Sequence, residues 1–310
     1  MPLVSIVMGV FNSELSLGDT IESILDQTFK DFELIVVDDG STDSSLEIIR
    51  SYEKKDNRIR CIKSSNNGLT KSLIKACAQS KGYYIARHDA GGDTSLPFRL
   101  ERQIELFESK PELAIVSTPI IYVTEENEYL GGSGLTKEEC KTGLLVDKLS
   151  DLRSPLHAAS VFKRYDYSKV GGYREQFYYA QDIDLWLRLI ELGGHEAVTQ
   201  PSYRVVISPT GISNRARSSQ LALAELAIRI RNSDKADVGD LLEKAAEIGP
   251  VRGKVTNEDL SKGYYYISQC FRGKDKKKSR KYLNKALQAW PFNVKALIRY
   301  LQQYVPFLQA

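Results

Sequence analysis

The chain has 310 residues, 42% hydrophobic and 27% charged, enough for one substantial core plus a smaller appendage and unlike a disordered or fibrous protein. Its formal charge of +3 hides a split: from Asn214 onward 19 Lys and Arg face 9 Asp and Glu, a balance of +10, and the residues before it carry −7. An acidic front and a basic tail point to two jobs, the second involving something anionic.

Along the first part, short apolar runs alternate with helical patterns, as an α/β sheet requires. Val4–Val10 is a continuous apolar run, suited to a strand covered on both faces. Leu17–Gln27 sets Leu17, Ile21, Ile24 and Leu25 on one helical face. A strand over Glu33–Val37 ends in Asp38-Asp39-Gly40-Ser41-Thr42-Asp43, and a helix capped by Thr42 or Asp43 follows. Ile59–Ile62 reads as a strand, Leu69–Ser80 as a helix, and Tyr83–Ala86 as a fourth strand ending at Arg87-His88-Asp89-Ala90-Gly91-Gly92-Asp93. Pro97 is expected to open a helix reaching Ser109, and Leu113–Ser117 is another strand. Residues 120–154 loosen into an edge strand and the Gly-rich stretch Gly131–Gly134, either a loop over a site or a surface connection. A strand His157–Phe162, a turn at Gly171-Gly172 and a helix Asp182–Leu192 follow. Beyond Arg215 the pattern is helical, with a hairpin from Asp259–Phe271 and Lys276–Ala289 and an ending that resembles one tetratricopeptide-type unit.

Cys61, Cys77, Cys140 and Cys270 are far apart with no CxxC pair, which argues against structural zinc and a disulfide framework. The start, Met1–Met8, is apolar but lacks a basic n-region, so it reads as a buried strand. No apolar run approaches the roughly 18 residues of a membrane span. A cytoplasmic chain is expected, with peripheral contact at the inner face of the membrane left open.

Ligands of open α/β sheets bind beyond the carboxyl ends of the strands. Three such ends carry polar clusters: Phe11-Asn12, Asp38-Asp39, and Asp89 to Asp93. A helix cap accounts for Asp43 but not for both Asp38 and Asp39. Neither GxGxxG nor GxxxxGK[ST] occurs, which disfavours a dinucleotide site and a P-loop.

Three blocks in order, Val4–Asn12, Ser23–Phe29 and Glu33–Asp43, resemble the opening of the family 2 glycosyltransferases. The resemblance continues through Ile85–Ala90, Ser95–Leu100, Lys169–Arg174 and Gln181–Leu189, covering about residues 3–213. It implies a GT-A fold: an α/β, Rossmann-like mixed sheet flanked by helices (1–213), followed here by a basic all-α C-terminal region (214–310). By position in the family, Val10, Phe11 and Asn12 would line the base and ribose pocket of a nucleotide-sugar donor. Asp39 would contact the base, Asp89 would open a DxD-type element, and Asp182 would be the catalytic base. His157, Gln181 and Asp184 are the candidate acceptor-side residues. His157 reads equally as a buried hydrogen-bonded histidine, and Asp182 and Asp184 also suit the macrodipole at a helix start. Arg174 and Arg188 could meet a diphosphate or simply form ion pairs.

The chemistry the family implies is coherent. A sugar hydroxyl is a poor nucleophile, so a carboxylate must accept its proton, and the departing nucleoside diphosphate needs cationic stabilisation. One base and in-line displacement imply inversion. The resemblance thus points to an inverting transferase using a UDP-linked or other nucleotide-sugar and a glycan or lipid-linked acceptor in cell-surface polysaccharide or glycolipid synthesis. Two departures bear on the divalent cation, Mg²⁺ or Mn²⁺, that Asp89 and Asp93 would hold. Glycine fills the third DxD position with an extra residue before Asp93, and Ser208 stands where many relatives have histidine.

The cluster Lys274–Lys278 with Arg280 and Lys281 lies among aromatics. No nucleic-acid module supports an RNA or DNA partner; an anionic membrane surface or a merely solvated face remains. Two alternatives stand beside the transferase. A sugar nucleotidyltransferase lacks its Gly-rich, arginine-containing loop here. A non-catalytic sugar-nucleotide-binding or scaffold subunit is favoured by the irregular Asp89–Asp93 element and opposed by the Asp182 block.

Overall fold

The computed structural model describes residues 1–211, 215–234, 236–251 and 253–302. The boundary expected between 213 and 214 lies outside them. Two compact units are present: Met1–Ile121 with Gly132–Val205 and Ser219–Gly249, and Tyr122–Gly131 with Val206–Ser218 and Pro250–Ala310. The first unit takes back residues 219–249 after the chain has crossed into the second.

The first unit is built on seven strands: β1 (Val4–Val10), β2 (Phe32–Asp38), β3 (Ile59–Lys63), β4 (Tyr84–Arg87), β6 (Leu113–Ser117), β9 (Ser160–Lys163) and β10 (Gly194–Ala197), with β5 (Thr94–Ser95), β7 (Ile120–Thr124) and β8 (Tyr129–Ser133) outside this sheet. Their order is β10-β6-β9-β4-β1-β2-β3. β1 to β4 run parallel, β10 pairs parallel with β6, and β9 lies antiparallel to both β4 and β6. The sheet is therefore mixed, with the parallel half carrying the N-terminal βαβ units.

Helices α1 (Leu17–Leu25), α2 (Ser45–Lys55) and α4 (Arg99–Ser109) cover one face, and α3 (Leu69–Ala78) and α7 (Gln181–Leu189) cover the other. The period-2 alternation of a strand makes the division visible in β1. Val4, Ile6, Met8 and Val10 pack with Ile21, Ile24, Leu100 and Ile104, whereas Val7 packs with Leu73, Ala76, Trp186 and Leu189. Both faces being covered explains why β1 and β2 are apolar throughout rather than alternating. α7 carries a third layer: Ile183 and Leu187 pack with Leu223, Ala227 and Ile230 of α8 (Arg217–Asn232) and with Leu241 and Ala245 of α9 (Val238–Glu247). α5 (Lys137–Thr142) and α6 (Arg164–Lys169) are short connections, α5 opened by a capping box of Thr136 and Glu139. β11 (Tyr203–Ile207) pairs antiparallel with β5 through Tyr203 and Arg204.

The second unit contains α10 (Asn257–Cys270), α11 (Lys276–Ala289) and α12 (Val294–Gln302). α10 opens with a capping box of Thr256 and Asp259. Buried Asn293 donates to Ser261 Oγ at 2.9 Å and accepts from the Ala296 amide at 3.1 Å, while Ser261 donates to the Ala286 carbonyl at 2.7 Å. Gly263 admits the Pro209 backbone: a Cβ there would lie 1.9 Å from the Pro209 oxygen.

Local expectations shift at several places. α2 begins at Ser45 with Ser44 at the N-cap; Asp43 accepts from the Ser45 amide at 3.0 Å and from the Glu14 amide at 3.1 Å, so it ties two loops. α4 starts at Arg99 rather than at Pro97, whose carbonyl accepts from the Thr28 amide at 2.7 Å and so belongs to the preceding turn. His157–Ala159 form a 3-10 turn, and the strand begins only at Ser160. The short strands β10 and β11 were not legible, having too few residues for a period to emerge.

Candidate active site

β4, β1 and β2 are neighbours in the sheet, so the polar clusters after their carboxyl ends share one edge of the first unit. Val10 is buried core, and its carbonyl accepts from the Asp39 amide at 2.8 Å. Phe11 follows, 46% exposed at that edge. Asn12 adopts φ +48°, a conformation asparagine tolerates better than most residues. Its Oδ1 accepts from the Thr42 amide at 2.8 Å and its own amide donates to Ser41 Oγ at 3.1 Å, pinning the loop after β2.

Asp39 is buried, with Oδ1 accepting from the Asn67 amide at 3.0 Å and Oδ2 from the Gly68 amide at 2.7 Å. It therefore fixes the entry to α3. From there a chain of contacts leads to α7. Tyr178 lies so close over Gly68 that a Cβ would fall 2.6 Å from its Cε2, and Thr70 donates to the Phe177 carbonyl at 2.8 Å. The segment then turns through Ala180 at φ +53° and enters α7 with Gln181 and Asp182. Asp38 is wholly buried, and neither of its carboxylate oxygens has a hydrogen-bond partner among the described residues.

At the end of β4 the Asp89 amide donates to the Tyr203 hydroxyl at 3.1 Å, while its carboxylate pairs with Arg87 and remains 44% exposed. Arg87 is completely buried, and its Nε and Nη1 lack partners among the described residues. It lies close enough to Asp182 to pull that carboxyl down and to Asp89 to be held charged. Burial is the largest influence on Asp182 and raises its pKa, against the lowering by helix-start amides and Arg87; Asp89 raises it further. A carboxylate shifted upward is a stronger proton acceptor once ionised, which suits a general base.

Around this pair sits a buried support. Arg99 donates to Gln103 Oε1 at 3.1 Å, Ser95 Oγ at 3.0 Å and the Arg87 carbonyl at 2.8 Å, and lies 4.8 Å from the Tyr203 ring centre. Burial drops its pKa to about 10. Burial pushes His88 well below the usual histidine range, its two ring nitrogens facing the Asp89 carbonyl and Ser95 Oγ. Asp93 is only 5% exposed and its carbonyl accepts from Thr20 at 2.9 Å. Gly92 takes φ +91°, and a Cβ on Gly91 would meet nothing within 4 Å. No group of three or more His, Cys, Asp or Glu gathers as a metal cage among the described residues.

The other candidates are engaged in packing. His157 is buried with Nε2 2.6 Å from the Tyr173 hydroxyl and edge-on to Trp186, and burial lowers its pKa well below the usual value. Asp184, 2% exposed, is held by Arg174 at 2.9 Å and by Arg188. Those two arginines are therefore ion-paired. Gln181 is buried beside Asp182. Ser208, in the second unit, faces Thr210 Oγ1 at 2.9 Å. Arg87, Tyr203 and the Asn67-Gly68 amides went unread in the sequence. A charged residue inside a strand gives no sign of its partner, and backbone amides have no letter of their own.

Residues 5–168 match the model for glycosyl transferase family 2, just over half of the chain. EpsE, a Bacillus subtilis protein named as a glycosyltransferase, is 34% identical over 197 residues, 62% of this chain and 68% of EpsE. The O-antigen biosynthesis glycosyltransferase WbnJ of Escherichia coli is 29% identical over 194 residues, 61% of this chain and 72% of WbnJ. Across three of the most similar relatives, the match spans 61% to 68% of their own length. Among solved structures, Staphylococcus aureus TarS 1–349 with UDP gives a TM-score of 0.57 at 17% identity, covering 98% of this chain and 87% of that one. The Pyrobaculum calidifontis mannosyltransferase PcManGT with GDP-Man and Mn²⁺ gives 0.58 at 16%, covering 99% and 82%. Strand order, the shared edge of the three clusters and the sequence match agree: the fold is GT-A, and the chain belongs to glycosyl transferase family 2.

Proposed function

We propose that this chain transfers a sugar from a nucleotide-sugar, UDP-linked in the first instance, to an acceptor hydroxyl with inversion, in the synthesis of a cell-surface polysaccharide or glycolipid. The observation that carries the reading is one carboxylate, Asp182, raised by burial at the start of α7 within electrostatic reach of Asp89 and the buried Arg87 that pairs with Asp89. Asp182 takes the acceptor proton as the hydroxyl attacks. Phe11 and the loop held by Asn12 and Asp39 receive the nucleoside, and Asp89 faces its diphosphate. Residues 1–213 carry this activity, α8 and α9 back α7 within the same unit, and the basic tail beyond them makes peripheral contact with an anionic membrane where a lipid-linked acceptor would lie.

A divalent cation bound chiefly by diphosphate oxygens and water needs only one or two protein carboxylates. The half-exposed Asp89 carboxylate fits that role, and Asp93 joins it only if the Gly91-Gly92 link moves. Such an ion would neutralise charge growing on the departing diphosphate. Arg87 already supplies a fixed positive charge beneath Asp89, so partial turnover without metal is expected.

The test is turnover of a panel of UDP-, GDP- and other nucleotide-sugars with and without Mn²⁺, by wild type and Asp182→Asn. Donor turnover reduced about 10²- to 10⁴-fold in the variant supports the base. No turnover of any donor, together with donor binding that survives, would favour a non-catalytic sugar-nucleotide-binding or scaffold subunit. The irregular Asp89–Asp93 element, with Gly91 and Gly92 between its acids, is the observation on that side.

A further inference from the structure

We propose that the exposed apolar stripe of α12 inserts into the headgroup–acyl boundary of an anionic bilayer; this deepens the membrane contact proposed for the tail and rests on it. In a water-soluble fold an amphipathic helix turns its apolar face inward. α12 does the reverse. At 100° per residue, Val294, Leu297, Ile298 and Leu301 share one arc, opposite the buried Ala296 that packs with Leu283 and Ala286. Their exposures are 64%, 43%, 50% and 45%, and Phe292 just before them is 75% exposed. Trp290 meets Phe292 edge-on at 6.2 Å, which adds an aromatic pair at the head of the stripe. Contiguous exposed apolar surface of this kind marks an interaction face.

Charge identifies the occupant. Residues 253–302 hold 12 Lys and Arg against 3 Asp and Glu. Lys281 and Lys285 are committed to Glu126 at 2.5 and 2.6 Å. Lys276 and Lys277, by contrast, are exposed with no acidic partner among the described residues. They stand with Lys278 in the first turn of α11, where the helix macrodipole disfavours cations, so their placement costs α11 stability. Lys295 is exposed on α12 itself, beside the stripe. Apolar side chains, a Trp–Phe pair and Lys295 beside them, in a unit that also exposes Lys276 and Lys277, match acyl chains, the interfacial zone and anionic headgroups.

The test is co-sedimentation of the full chain with vesicles of phosphatidylcholine alone or mixed with phosphatidylglycerol, with Trp290 fluorescence as a second readout. Wild type is expected to bind the anionic vesicles with a blue-shifted emission. Leu297→Asp/Ile298→Asp and Lys276→Glu/Lys277→Glu are each expected to weaken binding about tenfold or more, with helix content kept and melting not lowered, and raised in the lysine variant. Binding lost in the lysine variant but kept in the stripe variant would overturn insertion and leave an electrostatic contact. No binding by wild type would overturn both membrane statements, while donor turnover, measured separately, would still judge the transferase reading. Concentration-dependent self-association abolished by the stripe variant, with no vesicle binding, would make the face a contact between copies and overturn the proposal.

Discussion

Arg87 and Arg99 are both wholly buried arginines beneath the candidate site, yet truncating them should have opposite effects on stability. Arg99 has a partner for each nitrogen: Gln103, Ser95 and the Arg87 carbonyl. Arg99→Met leaves three buried neutral acceptors without these donors and is expected to destabilise, at about 1–3 kcal/mol for each group left unsatisfied. Arg87 makes one ion pair, to the half-exposed Asp89, and leaves Nε and Nη1 unpartnered among the described residues. Solvent around Asp89 holds the lost pair to about 0–1 kcal/mol, whereas removing two stranded donors recovers about 1–3 kcal/mol each. Arg87→Met should therefore fold as well as wild type or better, while losing activity. Without that positive charge the Asp182 pKa rises further, so the acid limb of the pH–rate profile moves to higher pH. Urea denaturation compares the midpoints, and donor turnover against pH supplies the second reading. A loss of stability in Arg87→Met equal to that in Arg99→Met would refute the reasoning, as would an unmoved acid limb.

Three further outcomes are expected. Asp182→Asn should be more stable than wild type at neutral pH. An acid whose folded pKa is raised contributes stability below its unfolded value that is lost as pH rises through the folded one, and the amide never ionises; equal melting temperatures at pH 7 would count against this. Acid should unfold the chain early. His88, His157 and His195 are neutral in the fold, so stability present above the unfolded pKa near 6.5 falls as the unfolded state takes up protons, by up to about 4 kcal/mol per pH unit for three such groups. The His195 share of the loss stops growing only below about 4, where the folded ring takes up its proton as well. Urea midpoints between pH 7 and 4.5 measure the slope, and a flat profile would contradict the burial of these rings. Gly68→Ala should cost about 1–3 kcal/mol from its φ of +90° alone and displace Tyr178, raising donor KM because the Asp39-bound amide moves. Donor titration and melting check both parts.

The strand ends were readable because hydrophobic runs broken by Asn12, Asp38-Asp39 and Asp89 are local patterns, and the GT-A expectation came from the resemblance to family 2 glycosyltransferases. Asp182 was singled out by the same resemblance, since an acid at a helix start is by itself an ordinary macrodipole feature. Tertiary structure alone decided how these residues work. Asp39 and Asn12 hold loops through backbone amides, Asp184 is neutralised by Arg174 and Arg188, and His157 is closed off by Tyr173. Arg87 and Asp89 act on Asp182 only because β4 and α7, almost 100 residues apart in sequence, pack in one unit. Sequence by itself determined the class of fold, the basic tail and a short set of acids, because side-chain periodicity and charge are written locally. Which of those acids is left raised and unpaired, and which helix turns its apolar face outward, depends on burial and partner distance. Those arise only when distant segments meet.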